Sequence, residues 1–323
     1  MNTVLLSHPL YQDGMDALDG KVEIKIAHNG DSDVILSQLQ QADGFILRIG
    51  KIDRKAIEAC PDLKVIARPG VGVDNVDVEA ATENGIPVVI APLANSRSVA
   101  EHALALMLSI SKNLPESDAE TRKGNFAIRE KYATTELSGL TAGIVGFGNI
   151  AQIFASFCSA LGMQVLIYDP YISESKVVAA GYRKACDLDE LLTGADVVSL
   201  HVPSTPETKN MINTETLERM KPTTLLVNTA RGDLIDEMAL HDALSTGKIK
   251  AAGVDVLHAE PMPAGHPLFE LPNFQVSPHL AAQTPQATAK AVVMAAEGTL
   301  AILRGERWPN VVNPAAYDHP RWK

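Results

Sequence analysis

The chain has 323 residues, a formal net charge of −11 at pH 7 and 46% hydrophobic residues, a length that predicts two domains and an acidity that argues against a nucleic-acid partner. No apolar run is long enough to span a bilayer and no basic segment precedes the first apolar stretch, so neither a membrane protein nor a secreted one is expected. Cys60, Cys158 and Cys186 lie far apart, without the spacing of a zinc site, and are expected to be reduced thiols of a cytoplasmic protein that binds a small molecule and no catalytic metal.

Short apolar, β-branched runs at 3–6, 22–26, 44–47, 64–67 and 87–90 predict strands. Helical stretches at 32–41, 54–59 and 78–84 alternate with them, which reads as a parallel sheet covered on both faces. Residues 96–112 carry Val99, Ala103, Leu106 and Ile110 at helical spacing and predict one long helix after Asn95-Ser96. The segment 116–138 reads as polar and irregular. A second alternating pattern follows, with strands at 142–145, 164–168, 197–201, 224–227 and 251–254, and an alanine-rich helix at 283–304 closes the pattern. The expected class is α/β, with two doubly wound parallel sheets.

Gly146-Phe147-Gly148-Asn149-Ile150-Ala151 follows a predicted strand and opens a predicted helix. The first glycine of such a loop permits a tight turn, the second lets backbone approach a pyrophosphate, and a small third residue lets helix and strand pack. Asp169 closes the next strand, about 20 residues on, where a carboxylate accepts bonds from ribose hydroxyls. The whole unit predicts a nicotinamide dinucleotide site, with NAD favoured over NADP.

Three groups able to do chemistry stand after later strands: Arg231, Glu260 and His279. Reduction of a 2-oxo acid needs a cation for the carboxylate and an acid for the carbonyl oxygen. Arg231 offers a planar charged fork, His279 a proton, and Glu260 a carboxylate that orients the imidazole and stabilises its charged form. Other histidines are weaker candidates. Glu101 and His102, adjacent on a core-like helix, are expected to form a buried structural pair, and His258 and His266 lack partners at metal-ligand spacing.

Read in order, Arg68-Pro69-Gly70-Val71-Gly72-Val73-Asp74-Asn75-Val76-Asp77, Ser98-Val99-Ala100-Glu101-His102, the loop at 143–150, the Asn228-Thr229-Ala230-Arg231-Gly232 run, Gly253-Val254-Asp255-Val256, Glu260-Pro261 and Ser277-Pro278-His279-Leu280 resemble the D-isomer-specific 2-hydroxyacid dehydrogenases, which include phosphoglycerate dehydrogenases and hydroxypyruvate reductases. The resemblance covers nearly the whole chain, with Pro69 and Ala281-Ala282 departing from the usual residues. It implies that Arg231 binds the substrate's carboxylate and carbonyl, that Glu260 and His279 form the acid–base pair, and that Val71 and Gly72 present backbone N–H groups to the same carboxylate. It also implies NAD contacts at Gly146, Gly148, Asn149, Ile150, Asp169, His201 on the adenine side, Pro203, Thr208, Thr229, Ala230, Arg231, Asp255, His279 and Ala281.

A Rossmann dinucleotide-binding domain at 96–283, inserted into a flavodoxin-like catalytic domain made of 1–95 and 284–323, is the implied organisation. The implied assembly is a homodimer with an arm at 113–138, and no appended regulatory domain is expected after the closing helix. Arg48 follows the third strand near the loop Gly70–Gly72, and phosphoglycerate-oxidising relatives bind the distal group of the substrate near that position. Arg97 reads as a solvated surface arginine or as a second cation at the same cleft, and two cations favour hydroxypyruvate, glyoxylate or phosphohydroxypyruvate over branched apolar acids. The alternative is an NAD(H)-sensing interaction protein of the C-terminal-binding corepressor type, which shares the fold.

Overall fold

The computed structural model describes residues 1–131 and 134–322; positions 132–133, within the expected arm, and 323, at the end of the expected first domain, lie outside the described residues. The chain divides into two compact units, Met1–Asn95 with Gln283–Lys323, and Ser96–Ala282. Gln283 thus falls in the first unit, one residue from the expected boundary. The physical reason is local: Thr284 is the N-cap of the helix Pro285–Leu303, its hydroxyl accepting the Ala287 N–H at 3.2 Å, and Pro285 fills the first helical turn where no N–H is needed.

The first unit holds β1 (Thr3–Leu6), β2 (Glu23–Ile26), β3 (Gly44–Ile46), β4 (Val65–Ala67) and β5 (Val88–Val89) in one parallel sheet of order β2-β1-β3-β4-β5. This is the flavodoxin-like order. Strands β1, β3 and β4 are buried throughout, as sheets covered on both faces must be, whereas β2 at the edge alternates with exposed positions. The helix Pro285–Leu303 packs on β3, β4 and the helix Gln12–Leu18. The latter helix is absent from the sequence expectation because Gly14 breaks its propensity. That glycine is required by packing: a Cβ there would stand 2.8 Å from Val292 Cβ.

The second unit carries β6 (Thr141–Val145), β7 (Gln164–Tyr168), β8 (Arg183–Lys184), β9 (Val197–Leu200), β10 (Leu225–Asn228), β11 (Ala251–Val254) and β12 (Phe274–Val276). All run parallel in the order β12-β11-β10-β9-β6-β7-β8. The order reverses between β6 and β9, and open α/β sheets bind ligands outside the carboxyl ends at such a point. The long helix is Ser96–Lys112, with Val99, Ala103, Leu106 and Ile110 buried and its body against β10 and β11.

The segment expected to be irregular contains the helix Leu114–Arg122 and a 3-10 turn at Phe126–Glu130. This helix has no buried residue in the chain, so no apolar stripe announces it. Its end signals are local ones: Pro115 and Glu116 stand in its first turn, Arg122 stands in its last, and Asp118 accepts a bond from Arg122 Nε at 2.7 Å across one turn. Among the described residues, no helix is long and apolar enough to cross a membrane.

Candidate active site

Arg231, Glu260 and His279 all lie beyond the carboxyl ends of neighbouring strands, β10, β11 and β12. Asn228 shapes the first loop, its Nδ2 donating to the Arg231 carbonyl at 2.8 Å while its Oδ1 accepts the Ala230 N–H at 3.0 Å. Arg231 Nη1 donates back to the Ala230 carbonyl at 2.8 Å. Gly232 lets this loop press on the next, since a Cβ there would collide with the Leu257 carbonyl group. His258 then ties the two together, with Nδ1 2.5 Å from Asp233 Oδ1 and its N–H donating to Glu237 Oε1 at 2.8 Å.

Glu260 accepts the Leu257 N–H on Oε1 at 3.0 Å and faces His279 Nδ1 with Oε2 at 2.7 Å. An ionised carboxylate only accepts, so Nδ1 carries a proton in either state of the ring and Nε2 is assigned as the nitrogen that exchanges one. His279 and Glu260 side chains are 51% and 38% exposed, open to a substrate. The His279 backbone is left-handed, with φ 51°. Asp255 holds it there: its carbonyl accepts the His279 N–H at 2.8 Å, and its carboxylate accepts the Leu280 N–H at 3.0 Å and the Ala281 N–H at 2.9 Å.

Burial acts to raise the Asp255 carboxyl, but bonds from His102, Ser277 and the Ala281 and Leu280 backbone outweigh it and hold the group below the usual carboxylate range. Asp255, expected as a cofactor contact, is 1% exposed and serves the His279 turn with both oxygens. The expected Glu101–His102 pair does not form. Glu101 is exposed and accepts from Arg97 Nε at 2.6 Å, while His102 Nε2 lies 2.8 Å from Ser277 Oγ and 3.4 Å from Asp255 Oδ1. Neighbours on a helix point roughly 100° apart, so two adjacent side chains cannot share one buried partner face.

The glycine loop lies after β6 and opens on the helix Asn149–Ala160. Gly146 has φ 92° and a Cβ there would stand 2.7 Å from the His201 carbonyl oxygen, so only glycine fits. Gly148 is different: its φ is −74° and a Cβ would meet nothing within 4 Å. The fold itself does not demand glycine at 148, and the bare backbone leaves room for a pyrophosphate at the helix N-terminus beside Asn149 and Ile150. Asp169 accepts the Phe147 N–H on Oδ2 and the Tyr171 N–H on Oδ1, both at 2.9 Å, so the acid is fixed against the loop. Thr229 Oγ1, just beyond β10, is buried with no hydrogen-bond partner among the described residues. These features fit a dinucleotide.

His201 packs at a tilt of 46° against Phe154 with ring centroids 5.2 Å apart, its Nε2 2.9 Å from Ser199 Oγ, and burial pushes it down to about 3, so it is neutral at neutral pH. Thr208 Oγ1 donates to the Pro203 carbonyl at 2.7 Å and closes the loop after β9. Among the described residues no cluster of three His, Cys, Asp or Glu could hold a metal ion.

In the first unit, Arg68 is a residue whose role the sequence did not reveal. Its Nη1 donates to the Leu47 and Arg48 carbonyls at 2.6 and 2.9 Å, and its Nε donates to the Gly72 carbonyl at 3.2 Å. It thereby joins the loop bearing Arg48 to the loop bearing Val71 and Gly72. Arg48 Nη1 donates to the Pro9 carbonyl at 3.1 Å, and its guanidinium stacks 5.2 Å over Tyr11. Arg97, read from the sequence as a surface arginine or a second cation for the substrate, is 68% exposed, donates to Glu101 and lies 4.7 Å over Phe157 within the second unit.

Residues 104–281 match the model of the D-isomer specific 2-hydroxyacid dehydrogenase NAD binding domain. The chain belongs to that family. The D-3-phosphoglycerate dehydrogenase of Mycobacterium bovis is 42% identical over 311 residues, covering 96% of this chain and 58% of that protein, so the chain spans little more than half the length of such relatives. A crystal structure of a protein from Thermus thermophilus superposes with a TM-score of 0.87 at 37% identity, covering 96% of this chain and 99% of that one. The D-lactate dehydrogenase of Aquifex aeolicus, solved with NAD and lactic acid, gives 0.86 at 30% identity over 97% and 99%. As a member of this family the chain carries an NAD-binding domain, formed by its second unit.

Proposed function

We propose that the chain is an NAD-dependent dehydrogenase that interconverts a small 2-oxo acid and its D-2-hydroxy acid. The observation that carries this reading is the 2.7 Å contact of Glu260 with His279 Nδ1, which leaves Nε2 to serve a substrate beyond the same sheet end that presents Arg231. When bound, the dinucleotide supplies or accepts the hydride. In reduction, the His279 imidazolium gives its Nε2 proton to the forming alkoxide, and the neutral ring takes it back in oxidation. Glu260 accepts the Nδ1–H and orients the ring. Arg231 binds the carboxylate with its fork, and the backbone of Val71 and Gly72 contributes further donors.

Asp169 sets the cofactor preference, because a fixed carboxylate repels a 2′-phosphate. The specificity constant should be at least about tenfold higher with NADH than with NADPH, a difference of roughly 1.4 kcal/mol. Equal values would remove Asp169 from this role.

The substrate is a short acid with a polar or anionic end, hydroxypyruvate first and phosphohydroxypyruvate second. This rests on Arg48, with Arg97 standing 68% exposed beside Glu101 as a surface arginine does. Arg48→Ala should cost about 2 kcal/mol in kcat/KM for the preferred acid, as loss of a charge-assisted contact does, and should spare pyruvate. An equal loss for both acids, or a wild type that prefers 2-oxoisocaproate, contradicts the assignment.

The assembly is a homodimer that uses the arm. The helix Leu114–Arg122 buries nothing within its own chain, and Leu114 and Phe126 are 53% and 69% exposed. Leu114→Glu combined with Phe126→Glu should convert a sedimenting dimer to monomer; a wild-type monomer would overturn the proposal. Three free thiols support a reducing, cytoplasmic location, which recovery in a membrane or secreted fraction would contradict.

A further inference from the structure

The acid–base pair has a support that its own residues do not supply. Every N–H from 277 to 281 is committed. Ser277 donates to the Val254 carbonyl at 2.9 Å, Pro278 has none, His279 donates to the Asp255 carbonyl at 2.8 Å, and Leu280 and Ala281 donate to the Asp255 carboxylate. The left-handed His279 is therefore as well fixed as Asp255 is.

The side chains that reach the Asp255 carboxylate are those of Ser277, at 2.6 Å, and His102, at 3.4 Å. The carboxylate can only accept, so the single Ser277 hydroxyl proton goes to Asp255 Oδ1, 2.6 Å away. The Ser277 oxygen, 2.8 Å from His102 Nε2, must then accept, and His102 is assigned the Nε2–H form. A directed chain results, His102 to Ser277 to Asp255, and from Asp255 to the backbone of 279–281. It starts on the helix Ser96–Lys112, whose buried Ala103 and Leu106 and contacts with β10 and β11 make it a rigid anchor.

We propose that His102 is a positioning residue for the acid–base pair, setting through Ser277 and Asp255 the turn that aims His279 at Glu260. The inference rests on the dehydrogenase reading for its kinetic consequence, but not for its structural one. His279 and Glu260 are both partly exposed, so little besides this turn keeps Nδ1 and Oε2 in register. A misplacement of about 1 Å costs up to about a hundredfold in rate.

The test compares wild type, His102→Leu and His102→Gln in the full chain by two readouts. One is kcat and KM for the 2-oxo acid with NADH. The other is the 15N resonances of the His279 ring, which report its tautomer whether or not the protein turns over. His102→Leu should lower kcat about tenfold, leave KM within about twofold, and move the ring from the Nδ1–H tautomer to a mixture. His102→Gln should restore most of both, because its amide N–H can donate to Ser277. Unchanged rate and resonances in His102→Leu, or a glutamine variant no better than leucine, would overturn the proposal. If His102→Leu does not fold, Ser277→Ala removes the hydroxyl bridge and leaves only the 3.4 Å approach of His102 to Asp255, and wild-type resonances in that variant would overturn the relay through Ser277 equally. A wild type inactive on every acid would count against the dehydrogenase reading alone, and the ring resonances would still decide the role of His102.

Discussion

On the proposed mechanism, His279→Ala should lower kcat by at least about a hundredfold, roughly 2.7 kcal/mol of lost transition-state stabilisation, because the forming alkoxide would lose its proton donor. The effect belongs to the chemical step, so it persists at saturating oxo acid and NADH. Glu260→Gln gives a smaller loss, at least about tenfold. An amide can still accept the Nδ1–H, but it lacks the charge that stabilises the imidazolium and can turn its own N–H toward the ring, forcing the other tautomer. Steady-state kinetics of the two variants check both. Retained turnover in His279→Ala would place the proton donor elsewhere, and a Glu260→Gln rate equal to wild type would separate the two side chains despite their 2.7 Å contact.

The two glycines of the nucleotide loop should fail in opposite ways. Gly146→Ala forces a left-handed backbone and a Cβ 2.7 Å from the His201 carbonyl oxygen and 2.8 Å from Val202 Cγ1. Strain and overpacking together cost about 3 kcal/mol, a melting temperature roughly 6–12 °C lower for a unit of this size. Gly148→Ala meets no protein atom within 4 Å, so stability stays within about 1 kcal/mol of wild type. Its cost falls on the ligand: a Cβ where the pyrophosphate approaches should weaken NADH at least about tenfold. Thermal melts and NADH titration separate the two effects. A Gly148→Ala variant that binds NADH as wild type does would move the phosphate site away from this loop.

Much of the architecture is legible because buried parallel strands write themselves as continuous apolar runs. β7 and β11 fall on the expected residues, and the helix Ser96–Lys112 announces both its face and its ends. What escapes is held by other forces. β8 is two residues, Arg183 and Lys184, and β12 is a half-exposed edge, so neither has a run to read. The helix Gln12–Leu18 is masked by Gly14, whose purpose is visible only once Val292 stands against it. The helix Leu114–Arg122 has charged residues in its end turns and carries no apolar stripe.

At the candidate site, Arg231, Glu260 and His279 could be singled out because groups able to react are of few types and these stand after strands, where the structure also places them. The residues that place them could not be named so easily. Asp255, Ser277 and His102 are joined over long sequence separations, and the misjudged Glu101–His102 pair shows that adjacency in sequence is a poor guide to a shared face. Arg68 likewise reads as one charge within a motif until three carbonyl oxygens are found around it.

The most direct test of the central claim is to mix the full chain with NADH and hydroxypyruvate, follow the loss of NADH absorbance, and resolve the product by chiral chromatography. The predicted result is stoichiometric oxidation of NADH with D-glycerate as the only glycerate formed. Formation of the L product, or binding of NADH with no turnover of hydroxypyruvate, phosphohydroxypyruvate, glyoxylate or pyruvate, would contradict it, and the latter outcome would favour a nucleotide sensor.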